Sequence, residues 1–239
     1  MNKILFVMGN GPSLGKIMND ENSLNFLKKH HSFGLNSAYR AYNKYKFWPT
    51  YFGCFDYIVN VSHKNNFENL INSKIQKLFL LGAPPLHQKM YKNIYNNKKF
   101  MKFNFVQFPI ENNRPLSKSF DLFNDMGSSG ANAAQCGILM GYKKIVLLGC
   151  DCNYTEKVEG AIKVQNRLVM KKTPEKNPNY WFNDYQQKGD IFNIPQAELY
   201  QMNSWKYLSL NCPEDVEIVN CSQESLIPYF KKENFQTFL

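Results

Sequence analysis

Short apolar runs that stop at glycine or at a polar residue recur along the chain, separated by stretches with helical spacing. The run Ile4–Met8 is closed by Gly9, and its continuous apolar character suits a strand buried on both faces. The turn that follows leads to a helical stretch holding Ile17, Leu24 and Leu27. Further strands are expected at His31–Leu35, at 49–56 (ending in a carboxylate), at 77–81 before the stop Gly82-Ala83-Pro84-Pro85, and at 103–108. Residues 111–125 read as loop with some helix. Residues 129–141 are rich in Ala, Gly and Leu and read as a tightly packed helix. Residues 145–149, Ile-Val-Leu-Leu-Gly, form the clearest buried strand. A helix over 196–210 and a last strand over 216–220 complete the pattern.

Strands alternating with helices predict an α/β fold: one Rossmann-like, mostly parallel sheet flanked by helices, spanning 1–239 as a single domain. Between 153 and 193 the periodicity dissolves. Lys, Asn, Pro and Gln interleave there with Tyr180, Trp181, Phe182 and Tyr185. A long irregular stretch of this kind reads as a substrate loop or lid, and its aromatic rings argue against full exposure.

Charge adds one constraint. The formal net charge is +10, which favours anionic partners such as nucleotides or an acidic membrane face. Only Arg40, Arg114 and Arg167 are arginines. Because bidentate recognition of phosphates and guanine prefers Arg, nucleic acid is not expected as a partner. The six cysteines have no zinc spacing, Cys150 and Cys152 are poorly placed for a disulfide, and a reducing compartment fits best. The N-terminal apolar run is too short for a signal peptide. No stretch approaches the roughly 20 apolar residues that cross a bilayer. A cytoplasmic location is expected, at most peripheral at the inner membrane face, with Lys231-Lys232 as a candidate contact to anionic lipid.

In an open α/β sheet, ligands bind beyond the carboxyl ends of the strands. Gly9-Asn10, Asn36-Ser37, Asp56 and Gly149-Cys150-Asp151 all end candidate strands. Gly9 and Gly11 can take positive φ and bring backbone close to a ligand, and Pro12 can start a helix whose free amides face a phosphate. Asn10 and Ser13 would add side-chain hydrogen bonds. The loop is neither G-x-G-x-x-G nor a P-loop, and it could be only a tight turn. Gly127-Ser128-Ser129-Gly130 precedes the Ala-rich helix and offers hydroxyls and amides to an anion, or simply an N-cap. Asp151 either binds a ligand or caps the next turn, and Tyr154 is placed to touch a phosphate. His30, His31, His63 and His87 show no metal-binding or catalytic-triad spacing, and no D-x-D motif occurs.

The loop Gly9-Asn10-Gly11-Pro12-Ser13-Leu14, the turn Ser128-Ser129-Gly130 and the segment from Gly141 to Asp151 together resemble the bacterial sialyltransferases of glycosyltransferase family 42. They are also similar to the wider group of motility-associated flagellin glycosyltransferases and archaeal 6-hydroxymethylpterin diphosphokinase-like proteins. The stretch from Pro49 to Asp56 and the tail from Cys221 to Leu226 extend the resemblance over most of the chain.

The resemblance implies a sheet of the modified GT-A type, a CMP-activated nonulosonic donor and no required cofactor or Mg²⁺. It also implies an acceptor that is a glycan or glycolipid, as in lipooligosaccharide or capsule. Asn10, Ser13, Asn36, Ser129 and Gly130 would hold CMP, and Tyr154 would assist the departing phosphate. The sialyltransferases carry a histidine base in the mobile loop. The matching stretch from Asn179 to Tyr185 has none. Asp184 could take the role, with Tyr185 as the alternative. Two other readings stay open: an ATP-dependent diphosphokinase acting on a pterin alcohol, which needs Mg²⁺ and carboxylates such as Asp56 and Asp151, and a non-catalytic nucleotide- or glycan-binding protein. A homo-oligomer is compatible with all of them.

Overall fold

The computed structural model describes residues 4–81, 88–106, 115–155, 157–194 and 201–239. Its centre is a seven-stranded parallel sheet in the order β12-β11-β7-β1-β2-β3-β4. The strands are β1 (Ile4–Met8), β2 (His31–Leu35), β3 (Tyr51–Cys54), β4 (Lys77–Leu80), β7 (Lys144–Leu148), β11 (Glu217–Asn220) and β12 (Lys231–Lys232). β1 is apolar at every position because both of its faces are covered. Leu5 and Val7 join an apolar cluster on one side of the sheet, while Phe6 and Met8 join the other.

On the Phe6 side lie α1 (Leu14–Met18), α2 (Glu21–Leu27), α3 (Tyr39–Tyr45), α4 (Tyr57–Ser62) and α5 (Lys64–Asn69), anchored by buried Leu14, Met18, Leu27, Tyr42, Val59 and Phe67. On the Leu5 side lie α6 (Ser129–Leu139) and α7 (Met202–Asn211). The Ala-rich stretch of α6 packs Ala131, Ala133, Ala134 and Cys136 against Leu5, Val7 and Leu147, and α7 contributes Trp205 and Leu208.

The chain winds from β1 outward to β4, then returns to place β7 on the other flank of β1. The β1–β7 junction is therefore the switch point of the sheet, where a crevice opens beyond the strand ends. The register pairs Met8 with Leu148, so the loops after Gly9 and Gly149 leave the sheet side by side.

Three features depart from the sequence pattern. The strand expected at 49–56 is shorter, because Asp56 has already turned to cap α4. Of the strand at 103–108 only β5 (Phe105–Val106) forms, paired with β6 (Phe123–Asn124), and 107–108 lie outside the described residues. Residues 82–85, the expected stop, and 195–200, the start of the expected last helix, lie outside them as well. Finally, the stretch read as irregular holds a three-stranded antiparallel sheet of β8 (Ala161–Val164), β9 (Arg167–Met170) and β10 (Ile191–Asn193), with aperiodic turns between β9 and β10. Lys231 and Lys232 form the sheet edge, where Lys231 pairs with Glu233 at 2.8 Å and Lys232 Nζ donates to the Ser225 carbonyl at 2.9 Å. Among the described residues no helix is long and apolar enough to cross a membrane.

Candidate active site

Where β1 and β7 end, backbone meets backbone. Gly9 N donates to the Leu148 carbonyl at 2.7 Å and Gly11 N to the Gly149 carbonyl at 2.8 Å. A Cβ on Gly9 would stand 2.3 Å from the Gly149 carbonyl oxygen, and one on Gly11 would stand 2.3 Å from Asp151 Oδ2. These glycines are thus demanded by protein–protein approach. Neither is among the positive-φ glycines, so the expected left-handed turn is not the reason for them.

The helix start expected after Pro12 is engaged within the protein. α1 begins at Leu14, and the Ser13 amide donates to Asp151 Oδ2 at 2.9 Å while its hydroxyl donates to Asp151 Oδ1. The anion at this turn is the protein's own carboxylate. Ser13, expected to bind nucleotide, is spent on this link and does not line the main cavity. Burial pushes the Asp151 carboxyl above its usual range, against the two Ser13 bonds that favour its charge. The tail noted in the sequence closes this corner: Ser222 Oγ accepts from the Cys150 amide, and Ser225 Oγ donates to the Cys150 carbonyl.

Beyond the strand ends opens a cavity of about 660 Å³, within the size range of small-molecule sites. Gly9, Asn10, Gly11, Asn36, Asp56, Ser128, Ser129, Gly130, Asp151, Tyr154 and Tyr185 all line it. Asn10 Nδ2 donates to the Leu35 carbonyl at 3.2 Å, whereas its buried Oδ1 has no partner among the described residues. A buried amide oxygen without a donor is costly, and a ligand would relieve it. Asn36 holds a left-handed φ of 52°, which asparagine tolerates better than most residues, and accepts weakly from Ser129 Oγ at 3.4 Å. Ser128 caps α6 through the Ala131 amide, so its N-cap role is real. Gly130 rests against the Trp205 ring.

Asp56 caps α4 with Oδ1, taken by the Ile58 and Val59 amides at 2.8 and 3.1 Å. Its Oδ2 accepts from Asn193 Nδ2 at 2.9 Å, which ties β3 to β10. Burial raises its carboxyl above the usual range, and nearby Asp125 adds to that rise.

Sequence reasoning missed several lining residues. Asp125 was hidden in a stretch with no periodicity, and its Oδ1 accepts from the Gly127 amide at 2.7 Å and from Asn132 at 2.9 Å. Lys163, Asn166 and Asn193 come from the small sheet that the sequence concealed.

The aromatic segment closes one side. Tyr180 stacks on Tyr185 with ring centroids 3.8 Å apart, and Tyr154 meets Tyr180 edge-on at 6.3 Å. Trp181 N donates to the Asn10 carbonyl at 3.2 Å, which seats the segment on the β1 loop. Burial pushes the Tyr154 and Tyr185 hydroxyls above their usual range, which favours their neutral forms. Asp184 does not reach the cavity. It sits in the 3₁₀ turn Asn183–Tyr185, which directs Tyr185 inward and leaves Asp184 exposed to solvent.

A charged knot holds this segment to the sheet. Arg40 engages Asp190 with both amino groups, at 2.5 and 2.8 Å, and also donates to the Tyr185 carbonyl at 2.8 Å. His63 Nε2 lies 3.4 Å from the same carboxylate. Burial lowers the imidazole to about 4, the Asp190 charge opposes that fall, and the Arg40 charge adds to it. Between about 4 and the ordinary 6.5 the unfolded chain binds a proton that the folded chain does not. Stability should therefore fall as pH drops through that window, by at most about 3 kcal/mol from this group. His63→Gln is expected to flatten this part of a denaturation-against-pH curve, and an unchanged curve would remove His63 as its source.

Among the described residues no three His, Cys, Asp or Glu side chains converge to hold a metal. All six cysteines are free thiols, and Cys136 and Cys150 are buried as the sequence suggested.

A family model described as 6-hydroxymethylpterin diphosphokinase MptE-like matches residues 2–157. The chain belongs to this family. The MptE-like match takes in the β1 loop, Asn36, Asp56, the start of α6, Asp151 and Tyr154, and it stops before the β8–β9 hairpin and the aromatic segment. A search of curated proteins finds no match.

Solved structures share the fold. The sialyltransferase CstII from Campylobacter jejuni, in complex with the substrate analogue cytidine-5'-monophosphate, is 15% identical with a TM-score of 0.54, over 98% of this chain and 86% of that one. The monofunctional alpha-2,3-sialyltransferase Cst-I from the same organism is 15% identical with a TM-score of 0.55, over 98% and 81%. The MAf glycosyltransferase from Magnetospirillum magneticum AMB-1 is 11% identical with a TM-score of 0.51, and this MptE-like chain spans only 34% of its length.

Proposed function

We propose that the protein is a glycosyltransferase that moves a sialic or other nonulosonic sugar from its CMP ester to a hydroxyl of a surface glycan, without a metal. The observation that carries this reading is the convergence in one cavity of Asn10, Asn36, Ser129 and Tyr154, four positions at which the sialyltransferase resemblance implies contacts to CMP. The fold shared with a sialyltransferase solved with cytidine-5'-monophosphate supports it.

In this reaction the acceptor oxygen bonds to the anomeric carbon as the bond from that carbon to the CMP phosphate oxygen breaks. The phosphate leaves with the electron pair and takes a hydrogen bond from the neutral Tyr154 hydroxyl. The acceptor proton passes to a carboxylate. With Asp184 outside the cavity, we assign that role to Asp56, whose Oδ2 has only the neutral Asn193 amide as a partner among the described residues. Asp151 has both oxygens occupied by Ser13.

A second reading, diphosphate transfer from ATP to a pterin alcohol, draws on the name of the family and on Asp125 lying close to Asp56. One assay separates the two. The protein is incubated with CMP-sialic, legionaminic, pseudaminic or Kdo donors plus glycan acceptors in EDTA, and in parallel with Mg²⁺-ATP plus 6-hydroxymethylpterin. Release of CMP that depends on acceptor is expected. Consumption of ATP that depends on pterin and Mg²⁺ would replace the first reading by the second. Tyr154→Phe is expected to slow CMP release by about 10²-fold through loss of one donor to the leaving group; an unchanged rate would take Tyr154 out of the reaction.

A further inference from the structure

We infer that Lys163, carried into the cavity by the β8–β9 hairpin, binds the phosphate of the nucleotide and supplies its counter-charge. The inference rests on the nucleotide-binding part of the reading above. Its first support is the charge inventory of the cavity. The walls present three carboxylates, Asp56, Asp125 and Asp151, and among the described lining residues Lys163 is the one Lys, Arg or His. A phosphate bearing one to two negative charges is repelled by those carboxylates. A cation on the wall would offset that repulsion.

The second support is that Lys163 is uncommitted. Among the described residues it makes no ion pair or hydrogen bond, and the carboxylates do not depend on it. Asp151 is satisfied by Ser13, Asp56 by two amides and Asn193, and Asp125 by the Gly127 amide and Asn132. Lys172, which follows β9, shows the contrast: it is held by Glu159 at 2.9 Å and Glu175 at 3.5 Å.

The third support is strand geometry. Successive side chains of a strand point to opposite faces. Ile162 and Val164 are 45% and 46% exposed on the outer face of β8. Lys163 takes the other face, opposite buried Leu168 across the hairpin, and lines the cavity while itself remaining exposed to solvent. Asn166, just past the turn, lines the cavity as well. The hairpin thus delivers one cation and one amide to the lining of the same cavity as Asn153 and Tyr154. Lys163 acts here as a binding residue with a long, flexible stem, able to follow the phosphate as the sugar departs.

The test is calorimetry of cytidine against CMP, and of adenosine against ATP, on the full chain and on Lys163→Met, Lys163→Arg and Lys171→Met. Lys163→Met is expected to weaken the nucleotide by about 10- to 100-fold, the worth of one charge-assisted contact, and to leave the nucleoside unchanged. Lys163→Arg keeps most of the nucleotide affinity. Lys171→Met, which removes an exposed cation next to the hairpin outside the cavity, behaves as wild type. Equal weakening of nucleoside and nucleotide, or none for either, overturns the assignment. If CMP binds and Lys163→Met leaves its affinity untouched, the assignment falls while the CMP reading stands. If ATP binds in place of CMP and Lys163→Met still removes the preference for phosphate, the CMP reading falls while the assignment stands. Binding of neither nucleotide removes both.

Discussion

Asp56→Asn is expected to slow sugar transfer by about 10²- to 10⁴-fold, the usual worth of a general base, while leaving CMP affinity within a few-fold of wild type. The substitution keeps the helix cap, and the tie to Asn193 is kept if that amide turns its oxygen toward the new Nδ2. Asparagine caps a helix as well as aspartate does, so the Ile58 and Val59 amides keep their acceptor and α4 keeps its start. What is lost is the ability of Oδ2 to take a proton. Burial and the neighbouring Asp125 already raise the proton affinity of this carboxyl, and a better base at neutral pH is the consequence. The wild-type rate should fall as pH drops through a value above the ordinary 3.8 of an aspartate, because the protonated form cannot accept. The variant should lose that limb of the profile. Asp184→Asn serves as the comparison and is expected to change the rate less than about two-fold, since an exposed side chain outside the cavity has no acceptor to reach. If Asp184→Asn stops transfer and Asp56→Asn does not, the base lies in the aromatic segment and Asp56 is only a helix cap.

Arg40→Met is expected to lower the stability of the fold by about 3–5 kcal/mol, because it leaves the Asp190 carboxylate buried without its partner. The arginine side chain is 12% exposed and the aspartate 10%, so solvent offers little compensation. The loss also spreads along the chain. Asp190 accepts from the Gln187 amide at 2.7 Å and leads directly into β10, whose Asn193 holds Asp56. Arg40 further fixes the Tyr185 carbonyl. Activity should therefore decline at temperatures where the variant is still mostly folded. Adding Asp190→Leu should restore much of the stability, since an apolar pair removes the uncompensated charge, without restoring the rate. Urea denaturation measures the first effect. A cost below about 1 kcal/mol would mean that the knot is solvated and contributes no more than a surface pair.

What could be read from the sequence was set by burial. β1 and β7 lie at the middle of a covered parallel sheet, so every position of Ile4–Met8 and nearly every one of Lys144–Leu148 is apolar, and both strands were evident. The polar residues that end these strands were evident for the same reason: apolar runs stop where the crevice begins. The β8–β9 hairpin gave no such sign. Its strands are four residues long, β8 is exposed at Ile162, Lys163 and Val164 in a row, and its turn uses Gln165 at a φ of 55° in place of glycine. Lys163 therefore looked like one lysine among many in a basic chain. The glycines of the β1 loop were legible as necessary but misread in cause. Only the structure shows that Gly11 makes room for Asp151 and that Ser13 is bound to the same carboxylate. Asp184 was singled out by its place in the stretch that resembles the sialyltransferases' mobile loop, and it lies in a 3₁₀ turn that leaves it exposed outside the cavity.

The central claim is that the cavity at the β1–β7 junction recognises a cytidine nucleotide. Calorimetric titration of CMP, CDP, UDP, GDP and ATP, each in EDTA and in Mg²⁺, tests it most directly. The account predicts that CMP binds more tightly than the other four and equally in both buffers. A preference for Mg²⁺-ATP, or affinity for CMP that appears only with Mg²⁺, would contradict it.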